Sequence, residues 1–437
     1  MKTAEKTKTN KICSPEEAVK LIRAHDRVFI GLISNTTPLL NRALWARRNE
    51  LSDITLISGM SLDPSPLLTE TCENDPFSLL SMYLGPFERQ AIQLKKTHGY
   101  TSVHLSEIDK WFSEIGKITV AFLAVSAPDA SGMMSFGPSG GSIYRYILET
   151  ADRVILEINP DMPYVYGSDT LIAAEEADAI VVSEGRMPQI PDIPPSPAME
   201  KISEYINPMV EDGSTIQLGI GGLSTAIGNS LTSKNDLGIF SEMFCSSMML
   251  LMKNGNVTNR SKGFMNGKSV FAFAAGTGEL YDFMDHNELL YNVPFPCAND
   301  PRNIMKNNRM ISINTALALN IYGETAADAL GYKQYSAIGG QLDYVRGAQW
   351  SKGGKSIIAL ESSYMKNGKR HSKINFNFPE GTPISTPRSD IEYVVTEYGY
   401  ANLRDLTIAD RARAIIELAH PDFRDELRDK AKHSGIF

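Results

Sequence analysis

A chain of 437 residues is too long for one hydrophobic core, and its 42% hydrophobic, 22% charged composition is that of a globular protein of two or three domains. With 43 Lys+Arg against 51 Asp+Glu the net charge is −8, which excludes a general affinity for nucleic acid or anionic membrane and points to small-molecule partners. No stretch reaches the roughly 18 apolar residues of a membrane span, and Cys13, Cys72, Cys245 and Cys297 lack C-x-x-C spacing, so reduced thiols, no metal site and a cytoplasmic location are expected.

In chain order, segment 1–11 is Lys- and Thr-rich without the apolar centre of a signal peptide. Ser14 and Glu17 then form a capping-box pattern that predicts a helix over 15–24. Strand-like apolar runs follow at 27–32, 54–58, 119–125, 153–158 and 179–183, separated by helical patterns. Segment 187–197, MPQIPDIPPSP, holds five prolines, which disfavour helix and interior strand and suit a linker. Beyond it the runs resume at 215–219, 238–242, 269–274, 310–322 and 356–360, with a helix over 407–418. Strands alternating with helices predict an α/β fold with mostly parallel sheets.

An internal repeat organises these elements. Helix, Asp, strand and Gly occur through Glu16, Asp26 and Gly31 and recur through Glu200, Asp212 and Gly219. Asp26 and Asp212, like Leu51 and Leu237, stand 186 residues apart. Two tandem, related open α/β domains are therefore expected, at 1–190 and 198–437.

The sharpest local feature is Gln217-Leu218-Gly219-Ile220-Gly221-Gly222, a strand running into a glycine turn before a helix from Ser224. Such a turn lets a ligand approach the backbone, and the helix N-terminus offers unpaired N–H groups. The next strand is expected to end at Glu242, which puts a carboxylate beside the turn, since open α/β sheets bind ligands outside the carboxyl ends of their strands. The corresponding strand end in the first half, near Leu56, carries no acid. A dinucleotide fingerprint is imitated here, but Ser224 replaces its third glycine and nothing nearby suggests hydride transfer. The residues alone leave open a second reading, in which Glu242 is a solvated loop acid. Gly339-Gly340, Lys352, Lys355, Lys366 and Glu397 equally fit ordinary turns and surface charges.

Taken together and in order, these segments resemble one family along nearly the whole chain. They are EINPDMP at 157–163, QLGIGG at 217–222, SEMF around Glu242, GTGELYDF at 276–283, ANDP at 298–301 and GGQLDYVRGA at 339–348, followed by SKGGKSIIAL, VVTEYGYANLRDL and AHPDFRDEL. The sequence is similar to the acetyl-CoA hydrolase/transferase branch of the class I CoA-transferases, especially the 4-hydroxybutyrate and butyrate CoA-transferases. The resemblance implies transfer of coenzyme A between short-chain carboxylic acids, with Glu242 as the nucleophile that carries CoA as a glutamyl thioester. The alternative it leaves is an acyl-CoA hydrolase using the same glutamate.

By the same resemblance, Gln217, Leu218, Gly219, Ile220 and Gly221 form the loop along the CoA thioester, with the Ile220 N–H as oxyanion donor. Gly340 contacts CoA and the acyl oxygen, Lys366 lies near the cofactor, and Asn299 and Glu397 hold the reacting carboxylate. No metal or permanently bound cofactor is implied, CoA being a substrate; the active site is expected between the domains, in a homodimer or larger assembly. Two segments depart from the family. Where relatives often read His-Thr-Glu-Met-Phe-Ser-Asp-Gly, this chain has Phe240-Ser-Glu-Met-Phe-Cys-Ser-Ser247, and its first-half turn, Gly31-Leu-Ile-Ser-Asn-Thr-Thr-Pro38, lacks the Gly- and Glu-containing loop of many relatives. Both reshape the expected acyl pocket, so a relative's substrate does not carry over.

Overall fold

The computed structural model describes residues 11–437, so the reading of segment 1–11 falls almost wholly outside the described residues. The chain divides into two compact units that exchange segments. The first comprises the chain up to Thr101, Asp109–Gln189 and Tyr281–Asn287; the second comprises Ser102–Ile108, Ile190–Leu280 and Glu288–Phe437.

Seven parallel strands build the first unit: β1 Arg27–Leu32, β2 Ile54–Gly59, β3 Phe77–Ser81, β4 Thr97–Tyr100, β5 Val120–Val125, β6 Arg153–Ile158 and β7 Ala179–Val182. They lie in the order 7-6-5-1-2-3-4. β1, β5 and β6 read RVFIGL, VAFLAV and RVILEI because a parallel strand covered on both faces has no polar side to show. Helix α1, Pro38–Ala46, seats Leu40 and Leu44 on Val28, Ile30, Leu56 and Phe122, all almost fully buried. Helix α2, Pro86–Gln93, turns Glu88 inward.

In the second unit the parallel strands are β8 Thr215–Leu218, β9 Gly238–Phe244, β10 Ser269–Ala274, β11 Leu290–Asn292, β12 Met310–Thr315, β13 Lys355–Ala359 and β14 Tyr393–Thr396, with β15 Gly399–Asn402 added antiparallel. Their order is 11-10-9-8-12-13-14-15. Counted from each unit's own first strand, both sheets therefore read 4-3-2-1-5-6-7, which is the duplication seen at element level. Helices α3 Gly222–Ser230, α4 Gln341–Trp350 and α5 Ile408–Leu418 complete the parts used below.

The expected α/β class with mostly parallel sheets is what the chain adopts. Four details differ. The run 310–322 is two strands, Met310–Thr315 and Ala318–Asn320, the second in a separate three-stranded sheet. A continuous apolar run does not mark where a chain leaves one sheet for another. The helix after Ser14 is one α-turn, Pro15–Ala18, continued as a 3₁₀ turn, Val19–Leu21, and α3 begins at Gly222 rather than Ser224. β9 runs two residues past Glu242, to Phe244, so the acid sits within the strand and not at its end.

Candidate active site

Glu242 lies on the second strand of the second unit, and its neighbours explain how a carboxylate can stand there. Ser241 and Met243 on either side are buried, whereas Glu242 keeps partial exposure. Its Oε2 accepts a hydrogen bond of 2.7 Å from the amide Nδ2 of Asn299. Asn299 closes the short helix Phe295–Asn299 and is itself fully buried. The backbone N–H of Gly340 is the second donor to the carboxylate. A methyl group built on Gly340 would stand 2.0 Å from Glu242 Oε2 and 1.9 Å from Asn299 Nδ2, so only glycine admits this approach.

Burial pushes the Glu242 carboxyl up to about 7, and Asn299 and Gly340 draw it part of the way back. Both groups are uncharged: they orient the carboxylate without the ion pair that would suppress its nucleophilicity. The Oδ1 of Asn299 is buried without a hydrogen-bond partner.

One strand away, the Gln217–Gly222 segment leaves the end of β8. Parallel pairing of Thr215 with Gly238 and Ile216 with Ile239 sets this turn alongside the Glu242 stretch of β9. Gln217 and Leu218 are buried, and the Gln217 amide faces that of Asn314 on β12, at 3.4 and 3.5 Å. β8 and β12 are the first and fifth strands, between which the connections reverse direction, and that is where open α/β sheets bind ligands.

Gly219 and Ile220 are exposed, and neither Gly219 nor Gly221 has an atom within 4 Å of where a side chain would start. Gly221, the N-cap of α3, has φ +97° and ψ −179°, a conformation essentially restricted to glycine. No side chain caps α3, so its first N–H groups face outward.

The structure thus brings Glu242, Asn299 and Gly340 into direct contact and sets Gln217, Leu218, Gly219, Ile220 and Gly221 on the adjoining strand and turn. Glu397 and Lys366 stand apart from that contact. Glu397 follows β14 and accepts from the Ser362 N–H at 2.8 Å and from its Oγ at 2.6 Å. Lys366 lies on an exposed hairpin, paired with Lys369 across it.

Sequence reasoning missed two neighbours of the site. Asp343, in the first turn of α4, is buried and accepts from the Ser106 Oγ at 2.8 Å and N–H at 3.2 Å. Asp343 stood inside a quoted motif, but Ser106 lies in an unremarkable segment, and only folding joins them. The first unit also holds an unforeseen acid. Glu88 of α2 reaches the end of β2, accepts from the Ser61 N–H at 2.8 Å, and is pushed up to about 7 by burial. Among the described residues, no group of three His, Cys, Asp or Glu is placed to hold a metal ion.

Comparison with known proteins agrees along the full length. Residues 1–191 match the Acetyl-CoA hydrolase/transferase N-terminal domain, and residues 276–431 match the C-terminal domain of the same name. The 4-hydroxybutyrate coenzyme A transferase of Clostridium kluyveri is 35% identical over 97% of each chain. The butyryl-CoA:acetate CoA-transferase of Anaerostipes caccae is 33% identical, covering 98% of this chain and 97% of the other. Among solved structures, RipA from Yersinia pestis superposes with a TM-score of 0.91 at 34% identity over 98% of both chains.

Proposed function

The chain belongs to the acetyl-CoA hydrolase/transferase family and is a CoA-transferase, and from that premise we propose that it moves coenzyme A between short-chain carboxylic acids through a covalent thioester on Glu242. The observation that carries this reading is the Glu242 carboxylate held at 2.7 Å by Asn299 against the backbone of Gly340.

A Glu242 oxygen attacks the acyl-CoA carbonyl, the C–S bond breaks, and CoA leaves as thiolate with an acyl-glutamyl anhydride left behind. The thiolate then attacks the glutamyl carbonyl, the bond between the glutamyl carbon and the bridging anhydride oxygen breaks, and the first acid departs as carboxylate, taking that oxygen with it. An incoming carboxylate reverses both steps. One negative charge passes from carboxylate to thiolate to carboxylate, so no net proton transfer is needed. Each tetrahedral intermediate places charge on oxygen, where the N–H groups of Ile220 and Gly340 are suited to receive it; one such donor is typically worth about 3 kcal/mol. The outward N–H groups of α3 and the open Gly219–Gly221 turn suit close passage of the thioester along the backbone.

Acetate, butyrate and 4-hydroxybutyrate are the candidate acids, and discrimination among them rests on contacts worth only about 1–3 kcal/mol per methylene. A competition panel scored by kcat/KM ranks them. Hydrolysis through the same intermediate is the rival outcome, recognised by thiol release that does not depend on an added carboxylate. A homodimer or larger assembly in the cytoplasm belongs to the same proposal and is checked by light scattering and cell fractionation.

The deciding experiment is fast-quench mass spectrometry of the Glu242 peptide after mixing with acyl-CoA and no acceptor. A CoA-sized adduct on Glu242, discharged by an added carboxylate, is expected. Wild-type turnover by Glu242→Ala without any adduct would end this reading.

A further inference from the structure

Segment Ser102–Ile108 leaves the first unit's stretch of chain to become part of the second unit. Within it, Leu105 donates its N–H to the Gly339 carbonyl at 3.4 Å, and Ser106 binds Asp343 through both N–H and Oγ. Asp343 occupies the first turn of α4 yet caps nothing on that helix; its N-cap is Gly340, the residue whose N–H meets Glu242. The next residue, Tyr344, is buried and donates its hydroxyl to the Ala298 carbonyl at 2.9 Å, directly before Asn299. The start of α4 is thus tied on one side to Ser106 and on the other to the residue preceding Asn299. Gly340 is the N-cap of α4, so the aim of its N–H follows the placing of that helix's first turn.

We propose that Asp343, held by Ser106, is a positioning residue for the CoA-transfer step: the pair fixes the first turn of α4 so that the Gly340 N–H stays aimed at Glu242. The inference rests on Glu242 being the nucleophile. Ser106 and Asp343 do not touch the carboxylate of Glu242 through any hydrogen bond among the described residues, which separates them from the groups already assigned to the chemistry. The charged and titratable groups facing Asp343 are Glu242, Glu107 of the same segment, the buried Tyr344 beside it and, one turn along α4, Arg346, which is engaged by Asp390 at 2.7 Å. His104 faces Glu107 and Arg346. Burial foremost, and then the nearby Glu242 charge, push Asp343 up to about 7. Near neutrality such a carboxyl is about half protonated, and an asparagine keeps one oxygen to accept from the Ser106 N–H and an amide group that can bond its Oγ, so it should do the same work.

The test uses the full chain with Ser106→Ala, Asp343→Ala and Asp343→Asn, reading kcat, acyl-CoA KM and the rate of adduct formation on Glu242. The two alanine variants should lose about ten- to a hundred-fold in kcat and in adduct rate, with KM changed less than about three-fold, because misaiming a donor by an ångström is felt in the transition state. Asp343→Asn should recover to within about three-fold of wild type at pH 7, and its pH profile should lose any alkaline inflection that Asp343 contributes. Asparagine as slow as alanine, or Ser106→Ala as fast as wild type, overturns the proposal. If Asp343→Ala does not fold, the Ser106→Ala and Asp343→Asn measurements still decide it. A wild-type enzyme that forms no adduct removes the Glu242 reading and this inference with it; a normal wild-type adduct beside an unaffected Ser106→Ala removes only the inference.

Discussion

Glu242 is oriented by an amide and a backbone N–H, neither of which carries charge, and that choice of partners has consequences at the level of the single side chain. With burial pushing it up to about 7, the nucleophilic carboxylate is only half formed at neutral pH. The kcat/KM for acyl-CoA should therefore rise with pH through an inflection near 7, and rapid-quench measurement of the Glu242 adduct rate from pH 5.5 to 8.5 checks it. A profile flat down to pH 5 would contradict the burial argument. Stability has the opposite slope. A carboxyl whose folded pKa exceeds its unfolded value of about 4.3 binds its proton more tightly when folded. Its contribution is fully present below about pH 4.3 and is lost as pH rises through 7. Glu242→Gln cannot ionise, so at pH 8 it should be inactive yet melt a few degrees above wild type, a gain of order 2 kcal/mol. The gap should close towards pH 5, as calorimetry at both pH values would reveal.

Among elements, the decisive contact is between strand β9 and the N-cap of α4, and Gly340 shows why it admits no side chain. Its φ of −99° suits any residue, so an alanine there costs nothing in backbone strain. The obstacle is the methyl group, 2.0 Å from the Glu242 carboxylate and 1.9 Å from the Asn299 amide. Gly340→Ala should fold with a melting temperature near that of wild type while kcat falls about a hundred-fold, since the carboxylate or the amide must move. An active Gly340→Ala would show that the contact is dispensable. The sequence announced most interior strands of both sheets because two-sided burial leaves near-continuous apolar runs. It concealed β3, which lies between β2 and β4, and the edge strand β4, because FSLLS and THGY mix polar residues among partly buried positions. Glu242 could be placed next to the glycine turn from strand order alone. Its position inside β9 could not, because SEMF continues the strand with nothing to stop it. The Asn299 and Gly340 partners came from family likeness, while Ser106, Asp343 and Glu88 join their sites only through contacts between residues distant in sequence.

For the molecule as a whole, the shared 4-3-2-1-5-6-7 strand order says that two copies of one sheet were built and then made unequal. The second strand of one carries Glu242 itself; the corresponding strand of the other borrows Glu88 from the helix that follows β3. The two units are also tied together covalently in a way that a tandem repeat is not, since each contains a piece of chain from the other half. Asp343 depends on Ser106, from the first half. Conversely, in the first unit the Tyr164 N–H donates to Asp285 at 2.7 Å and its ring stacks on His286 at 4.9 Å, both from the second half. The connection between halves offers a clean place to cut. Arg186 is exposed at φ +125°, and no helix or strand is present from 184 to 196. Limited trypsin digestion should nick the chain after Arg186. Under native conditions the two fragments should elute together from a sizing column, because each lacks a segment of its own unit, and should separate only in denaturant. Fragments that part in native buffer while keeping native circular dichroism would mean that the exchanged segments contribute little to either unit. The nicked protein should also still form the Glu242 adduct, since Ser106, Asp343, Gly340 and Asn299 keep their contacts as long as the fragments hold together.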